Sequence, residues 1–229
     1  MNSLLDKNSL ANTVENVSEA LLFGKKISDK DKKEVSEFIV SRHGEYRSYA
    51  NMFAPTEYDL KNDLILFTGE KIKTGAGKSH MLGEESSRIL RKLNMHNKDV
   101  EKALKEADEG ILGRIKAGQD DPRYVHGTYC CKSCTCSLWL NLSAGGLDND
   151  TEMLKSGLKW LKKFRDGTGR WKSFPFYYTL YVLNEIDLKY SGDELKYVAE
   201  YLKDKKLRIT PDKFGRRREF VIKQILEKT

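Results

Sequence analysis

The densest chemistry in this sequence is the segment His126-Gly-Thr-Tyr-Cys130-Cys131-Lys-Ser-Cys134-Thr-Cys136, which holds all four cysteines of the chain. Zinc and iron–sulfur centres need thiolates converging on one point at about 2.3 Å, and Cys131-x-x-Cys134 is the usual first half of such a site. No second cysteine pair follows, and His126 is the only imidazole nearby in sequence. The candidate ligands are therefore His126, Cys130, Cys131, Cys134 and Cys136, with zinc as the candidate ion. If the segment is helical, Cys130 and Cys134 share a face and Cys136 points elsewhere, which works against four-fold ligation. Two other readings stand beside the metal. A cysteine at a helix N-terminus next to Lys132 has its thiolate stabilised and is reactive. Small buried thiols also let a helix pack closely, with no chemistry at all.

Gly75-Ala-Gly-Lys-Ser79 has the ending of a phosphate-binding loop. The full pattern needs another glycine where Ile72 stands and a strand feeding directly into the loop. The apolar run Leu64-Ile-Leu-Phe67, a short strand or a buried helical turn, ends well upstream. The expectation is a flexible loop leading into a helix. His80 and Glu84, four residues apart, would share a face at the head of that helix. Tyr177 and Tyr178 follow Pro175 and would line or plug the same space.

These segments belong to a recurring unit. Lys78-Ser79-His80 precedes Arg88 to Leu93, Lys132-Ser133-Cys134 precedes Leu138 to Leu142, and Lys172-Ser173-Phe174 precedes Tyr178 to Leu183. A unit that returns every few dozen residues implies stacked helix pairs, because one such pair cannot bury its own apolar face. Ser79, Ser133 and Ser173 are candidate caps for the helices they precede. Lys78, Lys132 and Lys172 would place positive charge at one rim, where free N–H groups also point. Such a mouth suits a phosphate or carboxylate head group with an apolar body. The candidate ligand-binding residues are His80, Glu84, Lys132, Cys134, Trp171, Lys172, Phe174, Tyr177 and Tyr178.

Helical periodicity places helices at 14–22, 29–41 with Ser28 as N-cap, 84–93, 100–117, 137–142, 153–164, 176–186, 195–202 and 219–226. Strand signals are scarce, so the expected class is all-α. One domain over residues 1–229 is expected, with units at about 29–93, 98–146 and 153–187 and closing helices over 193–229. The net charge of +7 permits anionic partners. Most lysines nevertheless alternate with acids on helical faces, and Gly215-Arg-Arg-Arg-Glu219 is too short to carry a nucleic-acid footprint. No apolar run reaches membrane-spanning length, and the N-terminus lacks the order of a secretory signal. Cysteines clustered in one short stretch fit a cytoplasmic protein with reduced thiols.

The stretch Gly157-Leu-Lys-Trp-Leu-Lys-Lys-Phe-Arg-Asp-Gly-Thr-Gly-Arg-Trp171, followed by Ser173-Phe-Pro-Phe-Tyr-Tyr-Thr-Leu-Tyr-Val-Leu183, resembles the prenyltransferase and squalene oxidase repeat of terpenoid cyclases and protein prenyltransferase β subunits. The resemblance covers about residues 153–187 and extends weakly over 35–93 and 98–146. It implies an α/α toroid of outer and inner helices, here a partial or small ring given the chain length. The cyclases' Asp-x-Asp-Asp motif is absent, with Asp148-Asn-Asp150 as the nearest match. The prenyltransferases' zinc set is absent too: Lys132 stands where its Asp precedes the cysteine, and Phe174 and Tyr177 occupy the next inner helix in place of a His. The resemblance therefore implies architecture without a carried-over activity. The leading expectation is a protein that binds, or transforms, a small, partly apolar, partly anionic or isoprenoid-like ligand. The alternatives are a non-enzymatic domain holding a protein or nucleic acid, and a metal- or redox-responsive protein using Cys130–Cys136.

Overall fold

The computed structural model describes residues 3–72, 74–118, 121, 125–204, 207 and 209–229. Among them, helix dominates: α1 (Leu10–Leu22), α2 (Asp29–Val40), α3 (Glu57–Lys61), α4 (Gly75–Leu93), α5 (Lys98–Gly118), α6 (Lys132–Ser143), α7 (Asp150–Lys162), α8 (Phe176–Glu185), α9 (Leu188–Asp204) and α10 (Lys213–Lys228). The protein is all-α, as expected, with one small hairpin. Its strands β1 (Leu64–Ile65) and β2 (Lys71–Ile72) run antiparallel, pairing Leu64 with Ile72 and Ile65 with Lys71. No described helix is long and apolar enough to cross a membrane.

Local capping explains where the helices begin. Ser28 caps α2 by accepting from Asp31 N–H, as its sequence position suggested. Thr74 accepts from Gly77 N–H, and α4 starts at Gly75, well upstream of the expected Glu84. Gly75–Ser79 is therefore the first turn of a helix and not a flexible loop, and its geometry is not that of a phosphate loop. The proposed serine caps are also corrected. Ser79 lies inside α4, Cys131 takes the N-cap position of α6, and Pro175 takes that of α8. Ser173 sits in the preceding turn with φ 64°. Asp212 caps α10 through Gly215 N–H, extending it six residues upstream of the expected Glu219.

The helices form two layers. α4 lies beside α6 in parallel register, with Cys134 against His80, Ser137 donating to the Met81 carbonyl and Asn141 donating to Glu84. On its other side α4 meets α1, where Arg88 Nη1 donates to Ser18 Oγ at 3.2 Å. α8 packs on α6, and α10 on α8, where Asn184 donates to Gln224 at 2.8 Å. Arg217 of α10 then reaches α1, donating to Glu15 at 2.7 Å and to Glu19 at 2.5 and 3.0 Å. Outside this series, α2 and α5 cover α4, α7 covers α6, and α9 covers α7 and α8.

The space between α4 and α8 is filled. Tyr178, Tyr181 and Leu183 are fully buried, each worth roughly 1.5–3 kcal/mol in apolar burial. Arg88 lies among them, paired with Glu185 at 3.2 Å and Glu85 at 3.8 Å and facing the Tyr181 ring. A buried guanidinium of this kind is tolerable only with such partners.

Candidate metal centre

Tight packing delivers the cysteine segment to the head of α4. Trp139 on α6 donates its indole N–H to the Gly127 carbonyl at 2.8 Å. Gly157 on α7 lets that indole pass, since a Cβ there would lie 2.3 Å from Trp139 Nε1. Thr135 closes the turn by accepting from Tyr129 N–H and donating to Tyr129 O, at 3.2 and 3.0 Å. The chain then bends through Cys130, whose φ of 58° is a left-handed conformation rare for a residue with a Cβ. Cys131 follows at the N-cap of α6, and Cys134 comes one turn later.

The result is a compact donor set. One ligand atom each from His80, Cys130 and Cys134 lies within 4.8 Å of the other two. Cys134 Sγ is 3.5 Å from His80 Nδ1 and 3.5 Å from Cys131 Sγ. Tetrahedral zinc with bonds of about 2.3 Å to sulfur and about 2.0 Å to nitrogen places its ligand atoms roughly 3.5–3.8 Å apart. For His80, Cys130 and Cys134 the present spacing therefore needs only small side-chain adjustments to close on an ion, whereas Cys131 lies outside that set and reaches it through its contact with Cys134. Cys130 and Cys131 are exposed, whereas Cys134 and His80 are buried, so the cluster spans the surface and the interior.

Electrostatics sort the four thiols. Hydrogen bonds from the Cys130 and Cys134 thiols hold the Cys131 sulfur well below the usual thiol range, with help from the Cys134 and Ser133 amides. Cys134 is pushed strongly upward, first by its hydrogen-bonding contacts with the Cys130 and Cys131 sulfurs and then by burial. Metal binding takes its sulfur ligands as thiolates and so releases their remaining protons. Burial lowers the His80 pKa, keeping the imidazole neutral and able to ligate.

The surroundings reinforce that arrangement. The Tyr49 ring lies tilted against His80 with centroids 3.7 Å apart, and the Arg114 guanidinium is 5.6 Å from the Tyr49 ring centroid. One turn down α4, Glu84 is fully buried, and burial pushes its carboxyl up to about 7. Asn141 Nδ2 donates to its Oε2 at 2.7 Å, and Arg91 holds Asn141 from behind at 2.8 Å. The Tyr129 hydroxyl is near enough to Glu84 for each to perturb the other, yet no well-formed hydrogen bond joins them.

The residues singled out in the sequence separate into groups. His80, Cys130, Cys131 and Cys134 come together, with Glu84 directly beneath. Cys136 is buried elsewhere, 3.7 Å from Thr179 Oγ1, and its pKa is pushed up to about 12 by burial. His126 is not in the donor cluster found among the described residues. Lys132 lies over the Trp160 and Phe164 rings, and Lys172 is exposed. Lys78 is buried, donating to the carbonyls of Asp59, Leu60 and Asn62 at the end of α3, so it serves packing and not a rim. Trp171 donates its indole to Glu194 at 2.7 Å, while Phe174 packs among Trp139, Trp160 and Phe164. Tyr178 donates to the buried Glu85, and Tyr177 carries Arg218 over its ring.

Sequence reasoning missed Tyr49, Tyr129, Arg114 and Asn141, and chose His126 as the imidazole in place of His80. The signal for His80 was present: it and Cys134 hold the same position in their Lys-Ser units, 54 residues apart. No family model, no curated protein and no solved structure matches this chain.

Proposed function

We propose that this is a metal-binding protein whose centre is formed by His80, Cys130, Cys131 and Cys134, with zinc as the ion. The observation that carries the reading is the convergence of three donor atoms within 4.8 Å, drawn from two helices and an intervening left-handed turn. Three thiolates and one imidazole make a complete tetrahedral set, which favours a closed, structural or sensing site over an open catalytic one. A bound ion would tie the head of α4 to the head of α6, adding a cross-link at their shared end. Arg114 supplies positive charge beside a complex that carries a net charge of about −1 with three thiolates. A reducing, cytoplasmic setting suits the reading, because exposed thiols keep their ligand form there.

The scaffold reading is part of the same proposal. Contacts run α1–α4–α6–α8–α10 and return to α1 through Arg217, which supports a small toroid-like ring of inner helices. That agrees with the prenyltransferase-like repeat seen in the sequence. The small-ligand reading draws less support from the structure, because Trp171, Phe174, Tyr178 and Lys78 all have structural partners.

Elemental analysis of protein grown with zinc and purified without chelator tests the proposal. One zinc per chain is expected, with tetrahedral thiolate-to-cobalt absorption after Co(II) substitution. His80→Ala, Cys130→Ser and Cys134→Ser should each lose most of the metal, while Cys136→Ser and His126→Ala retain it. Metal-free wild type, or retention by the His80 and Cys134 variants, refutes the site.

A further inference from the structure

Metal binding alone requires the Cys-x-x-Cys spacing but not that one residue of the pair be exposed and the other buried. Cys131 and Cys134 form a Cys-x-x-Cys step at the first turn of α6, with sulfurs 3.5 Å apart. Cys131 is exposed and Cys134 only 1 % exposed. One thiol thus meets solvent, and a second waits directly behind it. A disulfide needs the sulfurs to approach to about 2.0 Å, a movement of roughly 1.5 Å that side-chain rotation supplies. Cys136, packed against Thr179, is turned away from this pair.

Resting on the metal reading above, we infer that Cys131 is the exchangeable ligand of the centre and that hydroperoxides are its oxidant. Oxidation joins Cys131 to Cys134 and releases the zinc. The Cys131 thiolate attacks the terminal oxygen of the hydroperoxide. The O–O bond breaks, Cys131 becomes a sulfenic acid, and the alkoxide or hydroxide leaves and takes a proton from solvent. The Cys134 thiolate then attacks the Cys131 sulfur. The S–S bond forms, the S–O bond breaks, and the departing hydroxide leaves as water with a second solvent proton. Two thiolates have lost two electrons, and one hydroperoxide has been reduced to an alcohol and water. Disulfide sulfur is no longer a thiolate ligand, so only His80 and Cys130 remain and the ion is lost. A dithiol reductant reverses the change and restores the site.

The experiment treats the zinc-loaded full chain with one equivalent of hydrogen peroxide. Zinc is followed with a metallochromic chelator, and cysteine pairing by alkylation and peptide mapping. Trypsin cutting after Lys132 separates Cys131 from Cys134, so their disulfide appears as a linked pair of peptides, with fragmentation identifying the cysteine. Zinc release is expected to keep pace with the Cys131–Cys134 link. It should be unchanged in Cys136→Ser; Cys131→Ser, which lacks a ligand, is read metal-free by peroxide-driven loss of the Cys134 thiol, expected at least about tenfold slower than in metal-free wild type. Release without that link, a Cys130–Cys131 pair in its place, or equally fast loss of the Cys134 thiol in metal-free Cys131→Ser overturns the inference. A protein that takes up no zinc refutes the metal reading instead. Mapping of that same sample then decides the dithiol separately, supported by the Cys131–Cys134 disulfide and overturned by its absence.

Discussion

Replacing Glu84 with glutamine removes a titration that the fold carries at a loss. Glu84 is fully buried, accepts one hydrogen bond from Asn141, and leaves Oε1 without a partner. Burial raises its carboxyl from 4.5 to about 7. The unfolded chain gives up this proton near 4.5, whereas the folded chain keeps it until about 7. Between those values the native state binds more protons than the unfolded state, so stability falls as pH rises through the window. The shift of about 2.5 units (7 − 4.5), at about 1.36 kcal/mol each, amounts to roughly 3 kcal/mol, fully lost above neutrality. Glutamine matches the neutral carboxyl in shape and still accepts from Asn141. Urea unfolding of wild type and Glu84→Gln should give similar stabilities at about pH 5 and a variant more stable by roughly 3 kcal/mol at about pH 8. Because only the difference between the two proteins is read, the other buried acids, including Glu85, cancel. Measurement with the thiols reduced and metal chelated isolates the carboxyl from the neighbouring centre. Parallel stability curves across the range would refute the reasoning.

Two further substitutions probe the packing that holds the site. Gly157→Ala places a methyl 2.3 Å from Trp139 Nε1 and 3.0 Å from the Gly127 carbonyl, so their hydrogen bond must open. A cost of about 1–3 kcal/mol and altered tryptophan emission are expected in thermal melts, and a wild-type melting curve would contradict the contact. Arg88→Met strips the buried cation from Glu85 and Glu185, at an expected cost of roughly 3–5 kcal/mol. Adding Glu85→Gln to that variant should restore part of the loss, and strict additivity in chemical denaturation would argue against a shared network.

Much of the helix inventory was legible because the apolar positions of α2, α5 and α7 recur at helical spacing and Ser28 announces its own helix. Starts were harder to read. The threonine that caps α4 stands beside glycines that mimic a loop, and α10 begins at an aspartate six residues before its apolar face becomes continuous. The candidate donor set was half legible. The thiols cluster in sequence, but the imidazole arrives through the parallel register of α4 and α6, a tertiary fact that local spacing does not contain. Lys78 shows the opposite failure: its place in a repeat suggested a charged rim, yet its long stem carries the ammonium to the carbonyls ending α3.

The joint between Arg217 and the pair Glu15 and Glu19 has a consequence for synthesis as well as for shape. Its partners are separated by 202 and 198 residues, so α1 leaves the ribosome long before the guanidinium that neutralises its acids exists. Closing so long a loop is slow, and contacts of this range reward the chain only after most of it has ordered. The growing polypeptide must therefore pass through a stage with an uncovered edge along α1, at which exposed helical surface is open to mispairing with another copy. Completion of α10 would convert that vulnerable edge into an interior seam in a single late event.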